Sequence, residues 1–279
     1  MFMKVALLNL HVCLSLHVSP RPAALRAGVA SHGLQVSEHL NRRQALGTLG
    51  GAAAATVFAP APAAFADGKP RVVIFGGSGY VGAYASQFLL SQGCGVTSVS
   101  RKSPAEQVDK VKAILGTSLP GVDYQSLDAT SADLTGVLKG ASAVISCVGI
   151  APGGANMRDG NGLVNKKIAD AAKSAGIERF VYIGVASELA NGPVKFIFGD
   201  YVKGKAEAEA AVTKDFGASA LILKPGIIAG GPPGELRPPG PPGMTAVAVQ
   251  AVAKAAAAGA LGQKSGIVDG NDAIAAAGA

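Results

Sequence analysis

The sequence predicts an α/β fold, a parallel β-sheet wound on both faces by helices, and two observations predict it. From Arg71 onward, short apolar runs rich in β-branched residues alternate with longer stretches of helical periodicity, the rhythm of repeated β-α-β units. The runs read as strands buried on both faces, as the strands of a parallel sheet must be. A chain of 279 residues, 49% hydrophobic and 15% charged, is also too apolar to stay disordered and long enough for one large domain or two small ones.

Taken in order, strands are expected at 71–76, 95–100, 122–127, 142–148, 179–185 and 219–224. Helices are expected between them at 80–92, 105–116, 131–139, 161–175 and 200–215. After residue 229 the composition turns to Gly230-Gly231-Pro232-Pro233-Gly234, with more paired prolines up to Gly243, which removes backbone donors and excludes helix. An Ala-rich helix at 245–259, a short strand at 265–268 and an alanine-rich tail complete the chain. The expected domains are therefore a leader at 1–66, a main body at 67–229 and a short C-terminal region at 230–279 that completes the fold.

The leader is set apart by charge. Residues 1–66 hold five basic residues (Lys4, Arg21, Arg26, Arg42, Arg43) against one acid, Glu38, the acid-poor balance of targeting peptides. The uncharged run from Val5 to Val18 after Lys4 suits the apolar core of a signal peptide and is short for a membrane span. Residues 19–41 are transit-peptide-like. Arg42-Arg43 then precedes an Ala/Gly-rich stretch ending Ala64-Phe65-Ala66 before Asp67, the pattern of a twin-arginine export signal and its cleavage site. Two readings stand: a plain plastid or mitochondrial presequence, or a layered address ending in export to a thylakoid. Plastid stroma or thylakoid is the favoured location, mitochondrion the alternative. Pro60 and Pro62 interrupt the apolar run and argue against an uncleaved anchor. The whole chain carries +7, but 20 basic and 17 acidic residues remain beyond residue 66, a net +3, so no nucleic-acid partner is indicated.

All four histidines (His11, His17, His32, His39) also lie in the leader. The body must work without imidazole, which excludes a Ser-His-Asp or Cys-His hydrolase and a His-ligated metal there. Cys13, Cys94 and Cys147 are too few and scattered for a disulfide framework or a thiolate metal site, so no metal is expected.

The first strand, Arg71 to Phe75, runs directly into Gly76-Gly77-Ser78-Gly79-Tyr80-Val81-Gly82. Gly76, Gly79 and Gly82 are spaced for a tight turn, a close backbone approach to a diphosphate and close packing of helix on strand, with the helix N-terminus offering N–H groups to the phosphate. This position, between strand and helix, makes the motif a dinucleotide site of a Rossmann-type sheet with strand order 3-2-1-4-5-6. The second strand ends at Arg101-Lys102, where a site preferring NAD would place an acid; a guanidinium there fits a 2′-phosphate, so NADP is expected, with NAD the alternative. Asp128 after the third strand either hydrogen-bonds the adenine or caps the following helix. Val148-Gly149, ending the fourth, lets the middle of the cofactor pass close to the backbone.

Together with Arg179-Phe180-Val181-Tyr182-Ile183, Tyr201-Val202-Lys203-Gly204-Lys205-Ala206-Glu207 and Leu223-Lys224-Pro225-Gly226, these residues resemble the short-chain dehydrogenase/reductase superfamily over about residues 70–275. The Gly-Lys-Ala-Glu context and short C-terminal region look most like its atypical branch, the relatives of the accessory dehydrogenase-like subunit of respiratory complex I and of a ubiquinone-biosynthesis accessory protein. The resemblance implies Pro225 at the cofactor and a Tyr201/Lys205 pair, four residues apart and so on one side of a helix. It implies that the Tyr201 hydroxyl serves as acid/base on a substrate oxygen while the Lys205 ammonium tunes it and holds the ribose, chemistry that needs no histidine. The third family member, a Ser or Thr after strand five, is represented only by Ser187, displaced by one residue; a helix cap is its other reading.

Two functions follow as expectations. One is an NADP(H)-dependent oxidoreductase acting on a carbonyl or quinone-like lipophilic substrate. The other is a non-catalytic nucleotide-binding accessory or assembly protein, peripherally associated with an organellar membrane or membrane complex.

Overall fold

Seven strands form one parallel sheet in the order β3-β2-β1-β4-β5-β6-β7. The computed structural model describes residues 68–231 and 244–279, which lie in one compact unit; the expectations for residues 1–66 and for most of the Pro-rich stretch fall outside the described residues. The strands are β1 Arg71–Phe75, β2 Gly95–Ser100, β3 Val122–Ser126, β4 Ala143–Ser146, β5 Arg179–Ile183, β6 Ala220–Lys224 and β7 Gly266–Asp269. The expected order is observed, with the short C-terminal strand added beside β6.

The sheet is buried on both faces because its strands are apolar at successive positions. In β1, Val72 and Ile74 join one core with α1 (Tyr80–Ser91), α2 (Pro104–Leu115), α9 (Val249–Ala260) and α10 (Asn271–Ala277). Val73 and Phe75 point the other way, into a core closed by α3 (Thr135–Leu138), α5 (Leu163–Ser174) and α8 (Gly199–Phe216). A doubly wound sheet results, with strand C-termini gathered along one edge.

Several boundaries differ from expectation for local reasons. The helix expected at 131–139 shrinks to α3, because the Asp128 and Asp133 carboxylates accept the N–H groups of Thr130 and Thr135, two residues on, and hold the chain in turns that compete with helix. The helix expected at 161–175 starts earlier, as α4 (Met157–Asn161), and is interrupted at Gly162, where a Cβ would lie 2.9 Å from the Arg158 carbonyl oxygen and 3.1 Å from Gly204 Cα. Strands β4 and β5 stop short of 148 and 185, since there the chain leaves the sheet to build the site. Between β5 and α8 lie two short helices not expected, α6 (Ser187–Asn191) and α7 (Val194–Ile197). The alanine-rich tail is helix α10, anchored by the fully buried Ile274.

Arg71 opens β1 as a bolt. Its guanidinium, largely buried, donates to Thr97 Oγ1 (3.0 Å) and to the carbonyls of Val137 (3.1 Å) and Lys139 (2.5 Å), joining β1 to β2 and to the end of α3. Burial lowers its pKa while Asp123 raises it. Delocalised charge and a five-donor fork let arginine satisfy three acceptors at once in such a place.

Candidate functional site

The glycine loop lies at the C-terminal edge of β1, and its glycines are required by contact. Gly76 adopts φ +78°, where glycine is favoured, and its N–H donates to the Val99 carbonyl (2.8 Å). A Cβ on Gly82 would lie 2.4 Å from the Gly76 oxygen and 2.7 Å from Gly77 Cα, so no other side chain fits between helix and loop. Ser78 is buried; Tyr80 begins α1 and donates its hydroxyl to the Ala229 carbonyl (3.2 Å), tying the loop to the segment after β6. Val81, on the next position of the first turn, is half-buried.

The start of α1 is open to an anion. No side chain caps the helix at Gly79 and no acid stands in the first turn, so the positive end of the helix dipole faces the loop. Helix α2 shows the contrast: Ser103 and Glu106 form a capping box that closes its N-terminus, and these bonds draw the Glu106 carboxyl down to about 2. A dinucleotide diphosphate therefore fits the start of α1.

Arg101 follows β2 directly, with its side chain exposed. Asp128 sits after β3 with its Oδ1 taken by Thr130, through the hydroxyl (2.6 Å) and the N–H (2.9 Å); these bonds hold its carboxyl below the usual range, helped by the nearby Arg101 and Lys167. Asp128 thus holds a turn at Thr130 and caps no helix, the expected helix start near Ser131 being absent, and it stands beside Arg101. The Val148 carbonyl accepts from Asn165 Nδ2 (3.2 Å), and Gly149 passes so close to the site that a Cβ would lie 2.7 Å from Asn161 Oδ1 and 3.2 Å from Lys205 Nζ. Pro225, buried after β6, accepts the Ala186 N–H through its carbonyl (2.9 Å) and so supports the loop after β5.

Tyr201 and Lys205 lie one turn apart on α8. Lys205 is 6% exposed; its Nζ donates to the Ile183 carbonyl (2.9 Å) and lies 6.0 Å from the centre of the Tyr201 ring and 5.3 Å from that of Tyr182. Burial lowers its pKa to about 8, against a smaller raising influence of Cys147. Burial raises the Tyr201 hydroxyl to about 12, so it carries its proton at neutral pH. Cys147 is likewise pushed up to about 12 by burial, as an unreactive packing thiol. Tyr182, fully buried beneath Lys205, has a hydroxyl without a partner among the described residues.

Ser187 is not brought into this group. It opens α6, donates its N–H to Asp269 Oδ1 (3.0 Å), and lines a separate cavity of about 750 Å³ with Val202, Glu209 and Lys224, to which neither Tyr201 nor Lys205 contributes.

Sequence reasoning missed the polar ties behind the site. Asn161 and Asn165 are both fully buried. Asn161 holds the Ile150 N–H and carbonyl (3.2 and 2.9 Å), and Asn165 accepts from Ser146 Oγ (2.5 Å) while donating to Val148, which fixes the backbone around Gly149. Their four-residue spacing on the helix expected at 161–175 was the available signal. Among the described residues no cluster of three or more His, Cys, Asp or Glu is placed to hold a metal.

A family model described as NAD(P)H-binding matches residues 76–261. The chain is 33% identical over 160 residues to an uncharacterized chloroplastic protein of Arabidopsis thaliana, covering 57% of this chain and 51% of that one. It is 29% identical over 148 residues to vestitone reductase of Medicago sativa, covering 48% and 44%. The chain thus spans about half the length of the curated relatives it matches. Among solved structures it is similar in fold to the Bordetella bronchiseptica enzyme WbmH with bound NAD+ (TM-score 0.56, 16% identity, 72% of this chain and 75% of that one). It is also similar to a UDP-N-acetylglucosamine 4-epimerase of Methanobrevibacter ruminantium (TM-score 0.57, 17% identity, 72% and 76%). With the glycine loop, a Rossmann-type sheet and two-thirds of the chain matched, the protein belongs to the NAD(P)H-binding family.

Proposed function

We propose that the protein is an NADP(H)-dependent reductase of a carbonyl or quinone-like lipophilic compound. The observation that carries the reading is the Tyr201/Lys205 pair, its ammonium beside Gly149 and its protonated hydroxyl one helical turn away. Bound NADPH supplies the hydride. Tyr201 gives its proton to the substrate oxygen, and Lys205 stabilises the tyrosinate left behind and orients the nicotinamide ribose. Arg101, exposed at the end of β2 with no acid following it on that strand, receives the 2′-phosphate, and the start of α1 holds the diphosphate. A relative that is by name a reductase supports this class of chemistry.

A second reading is favoured by the place of Ser187. A family-type site polarises the substrate oxygen with a hydroxyl beside the tyrosine, and here Ser187 lines a cavity to which Tyr201 does not contribute. The chain would then hold its nucleotide as a structural element of an accessory or assembly protein at an organellar membrane complex, as the complex I resemblance implies. Among the described residues no helix is long and apolar enough to cross a membrane.

Titrating the protein with NADPH and NADH, then following NADPH oxidation with lipophilic quinones and carbonyls, tests both readings. NADPH is expected to bind more tightly, and Arg101→Ala to remove that preference by about 1–3 kcal/mol. Equal affinity for both nucleotides would reject the NADP assignment; tight binding without oxidation of any acceptor would favour the accessory role.

We place the protein in a plastid, on the acid-poor leader and the chloroplastic relative. A mature N-terminus at Asp67 is expected from sequencing the protein isolated from its cells, and a start well before it would sink the export reading.

A further inference from the structure

We propose that Gln107 is a positioning residue for cofactor choice: its buried amide fixes the turn that carries Arg101, and so sets how strongly the site favours a nucleotide with a 2′-phosphate over one with a 2′-hydroxyl. The inference rests on the Arg101 reading above. Gln107 belongs to the second turn of α2, yet it is fully buried, whereas its neighbours Glu106, Asp109 and Lys110 are exposed. Its amide is fully used. Oε1 accepts from Ser98 Oγ (2.9 Å), and Nε2 donates to the carbonyls of Lys102 (3.0 Å) and Gln125 (3.0 Å), so one side chain joins β2, β3 and the turn between β2 and α2. An aliphatic side chain would fill such a space without needing partners, so the amide needs a reason, and the reason is what it holds.

What it holds is the base of Arg101. The Lys102 carbonyl, on the residue directly after Arg101, is gripped by Gln107. On the other side, the Ser100 carbonyl accepts from Leu127 N–H (2.9 Å), and the Lys102 N–H donates to Ser100 Oγ (3.1 Å). The Ser103 capping box then seals the start of α2. Arg101 is thus an exposed, long side chain rooted in a backbone pinned on both sides. A guanidinium whose root is fixed loses less freedom when it closes on a phosphate, so its bidentate contact is retained at higher affinity.

The test measures NADPH and NADH dissociation constants on the full chain by nucleotide fluorescence. Gln107→Met removes all three bonds at nearly constant volume and is expected to weaken NADPH about tenfold while leaving NADH within about twofold, so that the preference collapses. Gln107→Glu keeps the acceptor for Ser98 but gives up both donations, and is expected to show the same collapse; it decides the matter should Gln107→Met fail to fold. A tie that is only structural would weaken both nucleotides alike. Equal weakening, or an unchanged ratio in a variant of a protein that prefers NADPH, would overturn the role of Gln107 alone. A wild-type protein with no preference would overturn the Arg101 reading and this inference with it.

Discussion

Tyr201→Phe is expected to remove hydride transfer while leaving NADPH binding intact. The hydroxyl is the only part of the side chain that changes, and burial holds it protonated up to about 12, so at neutral pH it enters the reaction as an acid. A positioned proton donor contributes about 10²–10⁴-fold to such a step. With imidazole absent from the body of the chain, no histidine can take over the proton. Binding is expected to be spared, because the proposed nucleotide contacts at the glycine loop, the start of α1 and Arg101 are groups that the change does not touch. The ring also remains to pack beside Lys205, so the fold is expected to keep its melting temperature. The decisive comparison is single-turnover oxidation of bound NADPH by a quinone or carbonyl that the wild type reduces. Unchanged turnover would take Tyr201 out of the chemistry and move the proton donor elsewhere.

Burial pattern explains how much of this could be read from the sequence. Strands β1, β4, β5 and β6 are apolar at nearly every position because helices cover both faces, and that pattern is local, so it is legible without coordinates. The glycine loop was legible for the same kind of reason: a strand, a turn and a helix follow one another in sequence. What could not be read were contacts closed across the fold. Gln107 sits in a helix that looks amphipathic and solvated, and only β2 and β3 folding against it make its amide a buried tie. Arg71 reads as the polar start of a strand and becomes a buried bolt because the end of α3, 66 residues on, comes back to it. Ser187 was the instructive case. Its spacing after strand five left it one residue from the expected place, and its backbone N–H is held by Asp269 in β7, 82 residues away. Periodicity carries no information about that pairing, so the sequence left two readings open where the fold chooses a cavity.

Lys205→Met should make the protein more stable at pH 7 and less able to react. The Lys205 ammonium lies in a place where burial lowers its pKa from 10.5 to about 8, so below pH 8 the folded chain carries a charge it would hold more easily unfolded. At about 1.4 kcal/mol per pKa unit that penalty is on the order of 3 kcal/mol at pH 7. Methionine removes the penalty, keeps the aliphatic stem packed, and loses the bond to the Ile183 carbonyl, which offsets about 1 kcal/mol; a net gain near 2 kcal/mol is expected. The pH dependence gives the sign. Between about 8 and 10.5 the unfolded chain binds a proton at Lys205 that the folded chain has released, so wild-type stability rises with pH across that window. Tyr201 acts in reverse: between 10 and about 12 the folded chain keeps a proton that the unfolded chain has lost, and stability falls. In Lys205→Met the rise from 8 to 10.5 is expected to vanish and the fall above 10 to remain, as thermal unfolding at pH 7, 9.5 and 11 would record. Activity should follow the same proton in the opposite sense. Wild-type turnover is expected to fall as pH passes through about 8, where the ammonium beside Tyr201 is lost, and the variant should have little turnover to lose at any pH. A lysine found to destabilise the fold and yet to support turnover would be retained for the reaction. A variant no more stable than wild type at pH 7, with an unchanged pH profile of stability, would mean that the ammonium is already solvated, and the electrostatic argument for the pair would fail with it.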